Sequence, residues 1–427
     1  MTREMKNSGV EWIGNIPSEW KIIKSKYIFA NHKEIVGDRE NNFERLSLTL
    51  NGVLKRPKDD SKGLQSESLS TYQVLYKDEL VFKMIDLENT STSRVGYSPY
   101  TGLVSPVYIV FNNNKYSKYG FWYFYNLWQR NIYNTLGNNG VRSALNASDM
   151  LNLPFIQIPN EEQTRISDFL DSKVTEIDKI ISETRASIEN YKEYKQSVIT
   201  EAVIKGLDKN VPMKESGIEW IGKIPCEWKA TKLKNVSENV TDGAHISPET
   251  DNGVYDFIST VNLDNGQIDF DNCLKTSVNS YKYLVNTGCK PQINDVLISK
   301  DGTVGKTIVI DFQHDFVVAS SLVIIRPTTE IICPYYLNYN LQSKFVQDTL
   351  LMLMHGAGLK RVSVEKNENL PVVVPPMEEQ TKIVEYLNYR CTEIDTLILQ
   401  KEKLITNLEE YKKSLIYEYV TGKKAVE

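Results

Sequence analysis

The stretch "MKNSGVEWIGNIPSEWK" runs from Met5 to Lys21, and "MKESGIEWIGKIPCEWK" runs from Met213 to Lys229. Thirteen of the seventeen positions are identical, at an offset of 208 residues. A chain that opens the same way twice is built on an internal repeat, and the rest of the sequence extends it. "NLP" at 152–154 returns at 369–371, "EEQT" at 161–164 at 378–381, and "TEID" at 175–178 at 392–395. "YKQS" at 194–197 returns as "YKKS" at 411–414. These later matches share an offset of 217, so the second copy has gained nine residues between its opening and "NLP". "DELVF" (78–82) and "DVLIS" (295–299) lie at the same offset and suggest a common strand. Between these anchors the copies are dissimilar. Fixed ends around a variable middle, used twice, are too few for a solenoid and suit a pseudo-two-fold internal repeat.

Each copy ends in a long helical pattern. Residues 160–205 contain neither Pro nor Gly. Leu170, Ile177, Thr184, Tyr191 and Val198 recur every seven residues. Ile166, Ile180 and Tyr194 fill a second seam, with Val174, Ile181 and Ile188 beside it, which is the stripe of a coiled coil. Asn160 with Gln163 three residues on predicts an N-cap, and Gly206 predicts the stop. The second copy has Ile383, Leu387, Ile394, Leu397, Leu404, Leu408, Tyr411 and Leu415, between Pro375–Pro376 and Gly422. About 40 residues make a helix of roughly 60 Å, and one apolar stripe of that length needs a partner. The nearest partner is the other copy. The first helix carries the chain from the first variable region to the second, and the second helix starts there, so pairing makes them antiparallel. Each opening segment then sits where a long helix ends and a variable region begins. Trp12, Trp20, Trp220 and Trp228 are expected to pin that junction as core aromatics.

The variable regions, 22–155 and 230–372, read as mixed domains of short strands. "LVSPVYIVF" (103–111), "DVLIS" (295–299), "KTIVI" (306–310) and "SSLVIIRP" (320–327) have branched and aromatic strand composition. "GFWYFYNLWQRNIYN" (120–134) and "CPYYLNYNLQSKFVQDTLL" (333–351) each predict one aromatic-rich helix. The expected class is α/β (α+β), with domains at 1–159 and 207–375 and long helices at 160–206 and 376–427. The 427 residues exceed what one core organises. The opening residues are polar, which predicts no secretory signal, and no apolar run is long enough for a bilayer span. The five cysteines all fall in the second half without a C-x-x-C pair, which predicts reduced thiols and a cytoplasmic protein. Net charge is −5, with +4 over residues 1–155 and −4 over 216–375. Phosphate binding would therefore need a local basic face, not a basic total.

Signals of chemistry are weak. "DGTVGKT" (301–307) ends like a phosphate-binding loop, but the first glycine of that pattern should stand at 300, where the residue is Lys300. It also precedes a strand, so it reads as a Gly-rich turn. His32, His245, His314 and His355 are scattered without metal-ligand spacing. There is no G-x-S-x-G elbow, no N/D-P-P-Y/F methyltransferase motif and no convincing nuclease carboxylate cluster. The chain reads as non-catalytic.

"SGVEWIGNIPSEWK", "NDVLISKDGTVGKT", "LVSPVYIV", "NLPVVVPPMEEQTKIVEYL" and the duplicated helix together resemble the specificity subunit of type I restriction–modification enzymes, over nearly the whole chain. The resemblance implies two target-recognition domains, each reading one half of a split, asymmetric DNA sequence in double-stranded DNA. The helices would act as a ruler and dock two methyltransferase (modification) subunits. Those partners would bring S-adenosylmethionine. Restriction (motor-nuclease) subunits would use ATP and Mg, in a prokaryotic cytoplasm, and this chain would bind no cofactor itself. The alternative is a helical scaffold joining two protein-binding domains without DNA.

Base readout needs Arg, Lys, Asn, Gln and small hydroxyls on exposed loops. In the first domain the candidates are Lys83, Asn89, Thr90, Ser91, Ser93 and Arg94 around "NTSTSR", and Arg142 in "NNGVRS". In the second they are His245 in "TDGAHIS", Thr260, Asn262, the turn residues Lys300, Thr303 and Lys306, and Lys360 and Arg361 in "GAGLKRVS". Gly140 and Gly358 sit in corresponding loops shortly before "NLP", which suggests a shared turn.

Overall fold

The repeated opening folds the same way twice. Met5–Asn7 pairs antiparallel with Asn15–Pro17, Lys6 opposite Ile16, and Met213–Glu215 pairs with Lys223–Pro225, Lys214 opposite Ile224. The next strand of each copy closes its variable region. Lys21–Lys24 pairs with Pro154–Gln157, and Lys229–Lys232 with Pro371–Val374, both antiparallel. The computed structural model describes residues 3–57, 69–88, 91–112, 115–136, 144–264, 266–354 and 361–426. The chain forms two units, residues 1–185 with 403–427, and residues 186–402. The boundary falls inside both long helices, Asn160–Lys205 and Met377–Val420.

In the first unit one four-stranded antiparallel sheet runs in the order Ala30–Asn31, Ile109–Asn112, Leu80–Phe82, Val95–Tyr97. A second runs Gly52–Arg56, Arg45–Thr49, Gly102–Val104, Gln73–Leu75, with the middle pair parallel. "LVSPVYIVF" is thus not one strand. Its two halves serve different sheets, because Pro106 has no N–H for a ladder and the Tyr108 amide turns back to the Ser105 carbonyl at 3.1 Å. The helix Ser117–Gln129 packs Phe124 on Phe82, with ring centroids 5.1 Å apart. The expected single helix ends there, since Asn131 takes a left-handed φ of 57°, and a short helix Ile132–Leu136 follows.

In the second unit the corresponding antiparallel sheet runs Ser237–Asp242, Leu322–Pro327, Val296–Ser299, Thr307–Val309. Its order is the same as in the first unit, and Leu80–Phe82 and Val296–Ser299 are the equivalent strands that the 217-residue offset predicts. The other sheet has three strands, Leu274–Thr276, Tyr255–Ile258 and Phe316–Val318, the last two parallel. "DGTVGKT" is the hairpin turn between Val296–Ser299 and Thr307–Val309, with positive φ at Gly302 and Gly305. The predicted helix 333–351 is two, Pro334–Gln342 and Lys344–Leu353, broken at the extended Ser343.

Within each unit the helix segments run antiparallel. In the first, Asp178 meets Lys412 at 2.6 Å and Arg185 meets Glu409 at 2.8 Å. In the second, Lys195 meets Asp395 at 2.7 Å and Lys401 lies over the Tyr191 ring. The buried stripe of the first helix is Leu170, Val174, Ile177, Ile181, Thr184 and Ile188. Alternating steps of three and four residues keep one face inward, at 100° per residue. Ile180 and Tyr194 fall off that face and are exposed, contrary to expectation. So are Leu397, Leu404 and Tyr411 on the second helix, where the expected Leu408 packs on the first unit's core together with Ile405. The expected N-cap at Asn160 does not form. The helix begins at Asn160, the Glu162 and Gln163 amides donate to the Pro159 carbonyl, and the Gln163 side chain donates to Ile158.

Two tryptophans pin the junction as expected. Trp20 is buried and its indole donates to Glu162 at 2.9 Å, and Trp228 is buried and donates to Glu379 at 2.7 Å. Each long helix ends on a left-handed glycine against one of these indoles. A Cβ on Gly422 would lie 2.7 Å from Trp20, and one on Gly206 would lie 3.1 Å from Trp228. Trp12 is half-buried against the first core, but Trp220 is 60 % exposed and pins nothing. The reason lies in the helix ends. Tyr417 and Lys423 both donate to the Ile13 carbonyl and hold the Trp12 turn down. Thr200 in the last turns of the first helix and Leu207 just after it stand at those places. Replacing Trp228 with Ala is expected to destabilise the second unit by about 3–5 kcal/mol. Trp220→Ala should shift stability by less than about 0.5 kcal/mol. Urea unfolding followed by far-UV circular dichroism separates the two.

Candidate nucleic-acid interface

The second unit draws its candidate residues together from four separate loops. Lys300 follows the strand Val296–Ser299 and its side chain is 1 % exposed. Its ammonium lies 3.4 Å from the carboxylates of both Asp242 and Asp301. Asp242, at the end of the strand Ser237–Asp242, also holds the exposed His245 imidazole at 3.0 Å. Asp301 bridges to Arg361, whose guanidinium Nε lies 3.1 Å away, and the two backbones form an antiparallel bridge. The result is a chain of polar contacts, His245–Asp242–Lys300–Asp301–Arg361, with the buried Lys300 and its two carboxylates at the centre and His245 and Arg361 at the exposed ends. A buried ammonium is tolerable only with such carboxylates around it.

The next loop joins through one residue. The Ser321 carbonyl accepts the Lys300 backbone N–H at 2.9 Å and the Thr260 hydroxyl at 3.1 Å. Thr260 is buried, and so is Asn262, whose amide oxygen accepts the Ser259 N–H and closes a capping box on the turn Thr260–Asn262. Lys306 donates its ammonium to the Leu263 carbonyl, and Thr303 is exposed at the tip of the glycine turn. Thr260, Asn262 and Lys300 are therefore fixed inside the loops, whereas His245, Thr303 and Arg361 present groups outward. Lys360 lies outside the described residues.

The first unit offers a smaller cluster. Lys83 is half-buried and donates to Thr92 at 3.1 Å. Arg94 is fully buried and donates to the Asp86 carbonyl. Burial lowers the Lys83 ammonium below the ordinary lysine range, and the nearby Arg94 charge adds to that. Burial likewise lowers Arg94. Ser93 is buried in a turn, where its hydroxyl donates to the Val95 carbonyl, so a base has no path to it. Ser91 is exposed. Asn89, Thr90 and Arg142 lie outside the described residues, as do the glycines Gly140 and Gly358.

Sequence reasoning did not find Asp242, Asp301 or Ser321. Asp242 precedes Lys300 by 58 residues, and only the strand pairing that puts Ser237–Asp242 and Val296–Ser299 on either side of Leu322–Pro327 joins them. Among the described residues no group of His, Cys, Asp and Glu is placed to hold a metal ion, and no helix is long and apolar enough to cross a membrane. All five cysteines are free thiols.

Comparison with known proteins finds similarity to the family that the sequence resembles. The type I restriction modification DNA specificity domain matches residues 225–409. A Methanocaldococcus jannaschii protein, assigned as the MjaX type I restriction enzyme specificity subunit, is 23 % identical over 96 % of this chain and 95 % of its own length. The EcoBI type I restriction enzyme specificity subunit of Escherichia coli is 22 % identical over 62 % of this chain and 57 % of its own length. A chain solved in work on complex assembly and conformational transition of the type I R-M system has the same fold, with a TM-score of 0.70 at 14 % identity. It covers 96 % of this chain and 99 % of that one.

The chain of contacts makes a stability prediction. Asp242→Ala removes one of the two carboxylates from the buried Lys300 and should cost the second unit about 2–4 kcal/mol. Arg361→Ala acts at an exposed end of the chain and should change stability by less than about 0.5 kcal/mol. Equal losses in urea unfolding would contradict a network centred on Lys300.

Proposed function

We propose that this chain, which carries the type I restriction modification DNA specificity domain, is the address-reading subunit of a type I restriction–modification complex. In this reading each unit's loops recognise one half of a bipartite, asymmetric target in double-stranded DNA. The long helices serve as the ruler between the halves and as the seat of two methyltransferase subunits. Restriction subunits join that core. S-adenosylmethionine, ATP and Mg belong to the partners.

One observation carries the reading. Both units use the same strand order, the same closing strand pair and the same tryptophan junction, yet their loops have unrelated sequences. A shared frame with divergent loops suits two readers of different bases, and loops on a rigid scaffold are where recognition residues concentrate. The chain of contacts supports this. Arg361 and His245 sit outward on groups locked by the buried Lys300, which suits side chains that must meet base edges or phosphates with fixed geometry. The first helix, of 46 residues, is about 69 Å long, more than one ~34–36 Å turn of DNA.

The direct test is genome-wide mapping of methylated adenines in cells that express the chain with a cognate methyltransferase, against cells lacking this chain alone. The expected result is a split, asymmetric motif that disappears with the chain. An unchanged methylome would favour the helical scaffold. Inserting one heptad in register into both long helices should lengthen the unspecified gap and leave both half-sites intact. An unchanged gap would defeat the ruler. Exchanging residues 230–372 for those of a relative should alter one half-site only, read from the same maps.

A further inference from the structure

We propose that Val261 is a specificity-determining residue of the second unit, contacting the 5-methyl group of a thymine in the major groove. This rests on the DNA-recognition reading above. Val261 is 85 % exposed, more than any other large apolar side chain among the described residues. A single exposed valine is ordinary on a protein surface. What distinguishes this one is the frame that holds it out.

Its two neighbours, Thr260 and Asn262, are both buried and fully engaged. The Thr260 N–H donates to the Ser321 hydroxyl at 3.1 Å, and its hydroxyl donates to the Ser321 carbonyl at 3.1 Å. The Asn262 amide oxygen accepts the Ser259 N–H at 3.0 Å, its side-chain amide donates to the Asn272 carbonyl at 3.3 Å, and its carbonyl accepts from Asp269 at 2.8 Å. The turn is therefore over-determined on both sides of one outward side chain. A β-branched residue adds stiffness, since few χ1 rotamers are open to it. The turn also belongs to the ion-paired cluster around Lys300. The Ser321 carbonyl that holds Thr260 holds the Lys300 backbone too, and the Lys306 ammonium caps the carbonyl of Leu263. A fixed apolar tip beside ion-paired, hydrogen-bonding loops suits the one apolar group of the major-groove code, the thymine methyl.

The test uses the full chain in complex with its modification subunits and duplexes carrying the mapped target. Each thymine is replaced in turn by uracil, which removes only the methyl group. One thymine of the second half-site should be sensitive, with binding weakened about fourfold, as expected for loss of one buried methyl. In Val261→Ala that sensitivity should vanish, while uracil effects in the first half-site stay as in the wild type. Because the side chain is exposed, the variant should fold normally, checked by an unchanged unfolding midpoint. If no thymine of the second half-site responds, or the response persists in Val261→Ala while sequence-selective binding stands, the assignment of Val261 is overturned alone. Loss of sequence selectivity in the wild-type complex would overturn the recognition reading and this assignment with it.

Discussion

The structure depends on a buried indole at each closure. Trp20 bonds Glu162 at the start of one long helix and lies against Gly422 at the end of the other. Trp228 does the same with Glu379 and Gly206. A tryptophan buried this deeply brings a large apolar surface and one N–H that must find an acceptor. Glu162 and Glu379 supply that acceptor from the first turn of a helix, where a carboxylate is also favoured by the helix dipole. Tyr119 and Tyr336 complete the closure. Each donates to a carbonyl in the last turn of the helix that ends in its own unit, Val420 and Val203 respectively. A unit is therefore finished by the helix of the other repeat. This is why the opening sequence must occur twice.

The closure leaves the loops free to differ. Strand order is shared between the units where it touches this frame, and it departs where the loops begin. The second sheet has four strands in one unit and three in the other. Backbone pairing in the shared sheet, not side-chain identity, carries the scaffold, so a variable region can change sequence without changing its base. In the second unit buried Lys300, Thr260 and Asn262 fix the loops, while His245, Thr303 and Arg361 face outward.

Charge follows the same division. The second variable region is acidic in total, yet carboxylates such as Asp242, Asp301, Asp256 and Asp295 are paired within the protein. Asp256 shows the balance. Burial alone raises its carboxyl, but hydrogen bonds from Lys275, His314 and Cys273 outweigh it and leave the group below the usual carboxylate range. The fold uses these carboxylates to seat its own cations, so net charge is a poor guide to the face offered to a partner.

The sequence by itself determined the duplication, the two long helices with their glycine stops, the paired strands Leu80–Phe82 and Val296–Ser299, and the tryptophans Trp20 and Trp228. These are local or repeated signals: periodicity, breakers and identity at a fixed offset. Only the tertiary structure decided which candidates face outward. Polarity marked Ser93, Arg94, Thr260, Asn262 and Lys300 as loop readers, but burial makes them the framework, because a short loop needs its own polar groups satisfied before it can hold a shape. The same held for the helical stripe, where Ile180, Leu404 and Tyr411 matched a heptad on paper and fell outside the seam in space. Val261 was invisible for the converse reason. Nothing in its identity separates it from a core valine, and only the bonds that bury its two neighbours turn it outward.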